Sequence, residues 1–205
     1  MRLVLQRVKS ANVTLPPSTT PISSIGNGVV ALVGLHANDT LADLKYCTKK
    51  LVASKLWPDE NDKPWRLSVN RMKYEVLLVS QFTLYGSVSN KKHQPDYKAS
   101  MKNDEALEMY NVFKEMVLTE LGGESERKRL KDGEFGSMMD LSLVNSGPVT
   151  LIIDSPIKEV LAVVEGIEKG EKVVIGVKEV AIINEAIPPP PSSVEELTLH
   201  DSEST

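Results

Sequence analysis

Residues 143–155 read LVNSGPVTLIIDS, an apolar run with Gly147-Pro148 set inside it. Proline cannot donate to a sheet ladder, and glycine weakens a strand interior. Read from the residues alone, the stretch is an edge strand with an ordinary trans proline at its first residue, and why the chain breaks its own strand there is left to explain. Working outward, a second stretch of high apolar density is EVLLVSQFTLYG (75–86). It is the strongest strand candidate, and Ser80, Gln81 and Thr83 bring polar groups to its end. They are either surface residues where the strand leaves the core or groups that carry chemistry.

The rest of the chain fills in an α+β domain. RLVLQRV (2–8) alternates, with Leu3, Leu5 and Arg7 on one face and Val4, Gln6 and Val8 on the other. ANVTL extends or follows it, PPSTTPISS reads as a loop, and GVVALVGL (28–35) is a continuous apolar strand. NDTLADLKYCTKKLVASK is a helix capped by Asn38, Asp39 or Thr40. NDEALEMYNVFKEMVLTELGG is a second helix, with Asp104 as cap and Leu107, Tyr110, Phe113, Met116 and Val117 as core face. KDGEFGSMMDLSLVN and GPVTLIIDS supply the last strands. Beyond Ser155 the periodicity weakens, and the closing PPPPSSVEELTLHDSEST has the composition of a disordered segment. The domain boundary falls near Ser155: residues 1–155 form the domain, and 156–205 form an acidic extension.

Of 205 residues, 41% are hydrophobic and 25% charged, as in an ordinary soluble globular protein. No apolar run approaches the ~20 residues that span a bilayer, so no membrane partner is expected. Arg2 and Arg7 interrupt the N-terminal apolar stretch, which argues against a signal peptide. The single cysteine, Cys47, excludes an intramolecular disulfide and a cysteine zinc site, and fits a reducing, cytoplasmic setting. Net charge is −4. Four lysines against ten acidic residues beyond Ser155 leave residues 1–155 with 20 basic and 18 acidic side chains. That balance permits an RNA partner without demanding one.

The standard catalytic sets are missing: no HExxH, Walker loop, GxGxxG or GxSxG, and His36, His93 and His200 stand far apart. An enzyme built on this chain would work without a charged constellation.

SQFTLY (80–85) and NSGPVT (145–150), taken together and in this order, resemble the SQxxL and NxGPxT signatures of the D-aminoacyl-tRNA deacylases. MRLVLQRVKSANV, QPDY (94–97) and KDGEFGSMMDLSLVNSGPVTLIIDS are similar to further parts of that family, over about residues 1–155. The resemblance implies a mostly antiparallel sheet forming a barrel-like core with two main helices. It implies a cofactor-free, metal-free carboxylic ester hydrolase that frees tRNA from a D-amino acid or glycine. It also implies a homodimer in which a Gly-cisPro peptide of one copy enters the pocket of the other.

On that resemblance Ser80, Gln81, Phe82 and Thr83 form the catalytic stretch. Backbone N–H groups near Phe82 and Thr83 polarise the ester carbonyl, and the adjacent ribose hydroxyl helps activate water. A Thr83 nucleophile is the older alternative, for which no base is visible. Gly147 and Pro148 read the configuration at the substrate Cα, and Arg7 braces them, unless it is a plain surface residue of an edge strand. Phe82 walls the adenine or fills the core. Met138 and Met139 line the pocket or pack as core residues. Lys91 and Lys92, and with them Lys98, meet acceptor-stem phosphates or belong to a solvated loop. Departures from the family pattern are Lys92-His93 where a glycine is usual, Gln94 where a basic residue is usual, the PPSTTPISS loop, and Trp65-Arg66-Leu67 ahead of Ser68-Val69. A non-catalytic tRNA-binding or dimeric scaffold that kept the fold is the alternative function.

Overall fold

A computed structural model describes residues 1–89, 91–156 and the pairs 158–159 and 178–179. The strands are β1 (Arg2–Thr14), β2 (Pro21–Ile25), β3 (Gly28–Gly34), β4 (Lys55–Trp57), β5 (Leu67–Ser68), β6 (Glu75–Ser80), β7 (Ser87–Val88), β8 (Pro95–Asp96), β9 (Leu130–Asp132) and β10 (Asp140–Asp154). The helices are α1 (Leu41–Ala53) and α2 (Asn103–Leu121), with 3-10 turns at Phe82–Tyr85 and Glu124–Arg129.

The main sheet runs β10-β1-β3-β6-β9, with β2 paired to β1. It is mostly antiparallel, as expected, with two parallel pairs. β1 pairs antiparallel with β10, β2 and β3, but β3–β6 and β6–β9 are parallel. The parallel pairs have a simple cause: α1 connects β3 to β6 and α2 connects β6 to β9, and parallel neighbours need such crossovers. β2 leans back toward β6 and β9, so the sheet nearly closes into a barrel.

Both faces of the sheet are covered, which accounts for the continuous apolar runs of β3 and β6. Val29, Ala31, Val33, Val76 and Leu78 face the helices and meet Leu44, Cys47 and Leu51 of α1 and Phe113, Val117 and Leu121 of α2. Val30, Leu77 and Val79 face the barrel interior with Val8, Ala11, Val13 and Ile25. β1 therefore changes face along its length: Leu3 and Leu5 point to the helices, whereas Ala11 and Val13 point into the barrel. An odd-to-odd switch requires one extra residue. It sits at Lys9, where the register slips between Val8 and Ser10.

Several local expectations are revised. β6 ends at Ser80 rather than running to Gly86, because the chain turns into a 3-10 helix. Part of the PPSTTPISS loop, from Pro21, pairs with β1 as β2. α1 is capped by Thr40, whose N–H and hydroxyl both donate to Asp43 Oδ2 at 2.8 and 2.7 Å. α2 begins two residues earlier than a cap at Asp104 implies: its N-cap is Lys102, and Asp104 lies in the first turn, where its charge favours the positive end of the helix dipole. Leu107 is exposed, and Ala106 takes its place in the core, with Met116 half-buried.

Contacts divide the chain into Met1–Ser155 and Pro156–Thr205. In the second unit Lys158–Glu159 pairs antiparallel with Lys178–Glu179. The disorder expected at the end of the chain falls outside the described residues. Among the described residues no helix is long and apolar enough to cross a membrane.

Cys47 is fully buried between α1 and the sheet, and burial pushes its thiol up to about 12. It should resist Ellman's reagent at pH 8 until denaturant unfolds the domain. Rapid modification of the native protein would contradict this packing.

Candidate functional site

Two backbone devices account for the two odd stretches. The first follows β6. The Gln81 N–H donates to the Val33 carbonyl at 2.8 Å, continuing the β3–β6 ladder by one rung. Phe82–Tyr85 then forms one 3-10 turn, closed by Leu84 N–H to the Gln81 carbonyl (3.2 Å) and Gly86 N–H to the Thr83 carbonyl (2.9 Å). The first N–H groups of a helical turn have no partner inside it. Those of Phe82 and Thr83 find no loop or side-chain acceptor among the described residues. Two adjacent donors, on exposed residues, are thus left without a partner at the carboxyl end of the parallel strands, the usual place for a ligand in such sheets.

The turn is seated tightly. A Cβ at Gly34 would stand 3.0 Å from Leu84 Cβ and 3.3 Å from the Gln81 carbonyl, so a side chain on β3 there would have to push the turn aside by a few tenths of an ångström. The Gln81 side-chain amide donates to Thr83 Oγ1, which fixes that hydroxyl as an acceptor. Phe82 is 58% exposed, and the Tyr97 ring meets it edge-on at 4.9 Å and 74°. Phe82 is therefore a wall of an open surface rather than a core residue.

The second device is the Gly-Pro stretch. β10 is one strand from Asp140 to Asp154, not two. Gln6 pairs with Thr150 and Val8 with Asn145, so Ser146–Val149 on β10 stand opposite Arg7 alone. Four residues against one make a protruding bulge. The Gly147–Pro148 peptide within it is cis.

The NxGPxT spacing has a direct structural meaning. Asn145 Oδ1 accepts the Val149 N–H at 2.9 Å, and Asn145 Nδ2 donates to Thr150 Oγ1 at 3.0 Å, closing the base of the bulge. Arg7 props it from below: Nε donates to the Ser146 carbonyl at 3.1 Å, and Nη1 to the Leu56 carbonyl on β4. Gly147 has φ +119°. A Cβ there would lie 2.8 Å from Val149 Cγ2 and 2.9 Å from Arg7 Nη2. No residue but glycine fits without displacing the brace.

The two devices are not adjacent within one copy. Ser80 is level with Val33, and Val33 with Leu3, whereas the bulge lies opposite Arg7. Four residues along β1 is about 13 Å at ~3.3 Å per residue, and three strand spacings across is about 14 Å at ~4.8 Å each. β10 is also the outer strand of the sheet among the described residues, and its exposed side chains include Val144, Leu151 and Ile152. A long, apolar, unpaired edge of this kind is a template for a second chain.

Met138 and Met139 part company. Met138 is 85% exposed in the β9–β10 loop, while Met139 packs against the barrel core with its Sδ beside the Glu134 N–H. Lys91 and Lys92 are exposed in the β7–β8 loop. Lys98 is held by Asp96 at 3.1 Å and so is partly neutralised.

His36 packs edge-on against Tyr85, and its Nδ1 accepts the Asn38 N–H, so its ring is occupied by structure. Among the described residues there is no cluster of metal-ligating side chains. The shallow cavity of about 320 Å³ between the ends of α1 and α2, lined by Val52, Ser68, Asn70, Arg71 and Glu120, contains none of these groups. What sequence reading missed is Asn145 and Thr150 as clasps and Leu56 as the far anchor of Arg7. The motif letters carried the first two. Nothing in the sequence marks a main-chain acceptor.

The family model described as D-Tyr-tRNA(Tyr) deacylase matches residues 4–154. A D-aminoacyl-tRNA deacylase of Drosophila melanogaster is 44% identical over 156 residues, covering 76% of this chain and 93% of that protein. One of Saccharomyces cerevisiae is 38% identical over 155 residues, covering 76% and 99%. Among solved structures, a c-Myc DNA Unwinding Element Binding Protein superposes with a TM-score of 0.69 at 36% identity, over 77% of this chain and all of its own. The chain belongs to the D-Tyr-tRNA(Tyr) deacylase family.

Proposed function

We propose that residues 1–155 hydrolyse the ester between a D-amino acid and the terminal adenosine of tRNA, as a cytoplasmic homodimer that proofreads chirality. One observation carries the reading: a braced backbone bulge and a pair of free backbone donors, each built by one of the two signatures, stand on one domain.

The chemistry asks little of side chains. An aminoacyl ester is already activated. The Phe82 and Thr83 N–H groups, fixed at the head of their turn, accept the charge that develops on the carbonyl oxygen as water adds. The neighbouring ribose hydroxyl of the substrate helps to draw off the water's proton. Collapse breaks the bond to the ribose oxygen, which leaves with a proton as free tRNA, and the D-amino acid departs as the acid. Thr83 is a poor nucleophile in this setting, because its partner is the Gln81 amide and not a base. Phe82 and Tyr97 offer aromatic surface to an unstacked terminal adenine. Ser80 and Gln81 hold the turn to β3, and Lys91 and Lys92 are free to meet phosphates.

Selection lies with the bulge. Since it stands far from the donor turn of its own copy, it serves a second copy docked along β10, whose outer edge and apolar side chains favour that pairing. Main-chain atoms around Gly147 and Pro148 then meet the substrate at Cα. A D side chain points away from them, and an L side chain strikes them. This is specificity by clash, indifferent to side-chain type. Glycine has no side chain to strike with, so glycyl-tRNA mischarged on tRNA(Ala) is also cleaved. Met138, exposed beside β10, lines this shared surface.

Matched preparations of D-tyrosyl- and L-tyrosyl-tRNA test the function. The D-ester should be lost rapidly and the L-ester spared. Equal loss of both would refute the chirality claim, and tight binding of tRNA without hydrolysis would favour a scaffold.

Gly147→Ala puts a methyl into the space of Arg7 Nη2 and Val149 Cγ2 at a positive φ. It should cost about 1–3 kcal/mol of stability and lower D-ester hydrolysis by about 100-fold or more, on the scale of a misplacement near 1 Å. Wild-type turnover in this variant would show that the bulge takes no part.

A further inference from the structure

The donor turn has a third support that belongs to neither signature. Ser100 Oγ donates to the Phe82 carbonyl at 2.8 Å. Ser100 is itself held on the sheet. The segment before α2 runs beside the end of β3, with Ala37 N–H to the Ala99 carbonyl (2.9 Å), Met101 N–H to the Leu35 carbonyl (3.0 Å) and a bridge between His36 and Ser100. Its own N–H closes a turn onto the Tyr97 carbonyl at 3.0 Å, and that turn sets the Tyr97 ring against Phe82. Met101 is buried beneath it. The hydroxyl thus reaches the donor turn from a rigid base.

We infer that Ser100 is a positioning residue for deacylation, which aims and strengthens the Thr83 N–H by gripping the carbonyl of the same peptide unit. The inference rests on the proposed hydrolysis at the Phe82–Thr83 donors. The Phe82 carbonyl and the Thr83 N–H lie at opposite ends of one planar trans amide, so fixing the oxygen fixes the direction of the hydrogen. A hydrogen bond accepted by the oxygen also polarises the amide and makes its N–H a better donor. The carbonyl has two lone pairs and already serves the 3-10 turn, so the hydroxyl adds a second tether without displacing the first. Gln81 anchors the start of the turn to β3, and Ser100 anchors its first peptide to the segment that runs beside the end of β3. Preorganised donors of this kind act on charge present only in the transition state, so the effect belongs in kcat and not in substrate binding.

Steady-state hydrolysis of D-tyrosyl-tRNA by the full chain and its Ser100→Ala and Ser100→Thr variants tests this, with thermal melts and an amide NMR spectrum of each. Removing one oxyanion donor outright costs about 10²–10³ in kcat, and loosening one should cost less. For Ser100→Ala we expect a fall of about 5- to 20-fold in kcat, KM within about twofold, and a melting temperature within a few degrees. The Thr83 amide resonance should move upfield, and Ser100→Thr, which keeps the donor, should restore both kcat and the resonance. Unchanged kcat in Ser100→Ala, a loss confined to stability or KM, or a failure of threonine to restore would overturn the inference. A wild-type chain inert toward the D-ester would remove the hydrolysis and this inference together. An active wild type with an indifferent Ser100→Ala would remove this inference alone.

Discussion

The grip of one guanidinium on two main-chain carbonyls organises this domain's most unusual feature. Arg7 spans from Ser146 on the bulge to Leu56 on β4. It lies on the helix-facing side of β1 with Leu3 and Leu5, so a cation occupies a position that would otherwise extend the core. Arginine suits the place because its planar fork presents several donors in fixed directions. Without it the Ser146 carbonyl would lose its partner, and four residues of β10 would stand over an empty site opposite a single residue of β1. The Asn145 clasp closes the bulge from the other end. Between them the bulge is held at three points, the rigidity that the proposed use of its main-chain atoms as a ruler requires.

The same economy runs through the other device. β3 and β6 are parallel because α1 crosses between them, and parallel strands deliver their carboxyl ends together. The chain leaves β6 there, turns once, and exposes two donors. One core of sheet and helices underlies β3 and β6, and a second fills the barrel side beneath β1, β2 and β10. On the proposed function, reaction and discrimination stand on different parts of the sheet, and neither uses an ionisable side chain as its working group.

Much of this was legible in the sequence, for identifiable reasons. Alternation in β1 placed Arg7 with Leu3 and Leu5, which is where its guanidinium is found. The apolar runs of β3 and β6 announced burial on both faces. What could not be read is where the chain slips register. The extra residue at Lys9 and the four-residue bulge have no compositional mark beyond Gly147-Pro148. The end of β6 at Ser80 was missed because FTLY is as good a strand as a helical turn by propensity. Asp104, a natural cap by residue type, does not cap α2, because Asn103 already adopts helical geometry after Lys102. Ser100 was invisible for a plainer reason: its partner is a carbonyl, and every residue has one.

The proposal that the site is divided between two copies makes an unusually sharp demand. Let one variant carry Gly147→Ala and a second carry a substitution that dismantles the donor turn, such as Thr83→Pro, each inactive toward D-tyrosyl-tRNA on its own. If the bulge of one copy serves the turn of the other, unfolding and refolding the two together should return about a quarter of wild-type activity, because half the dimers are mixed and each mixed dimer holds one intact site. No recovery in a mixture that has demonstrably formed mixed dimers would place both devices in the same copy and contradict the account.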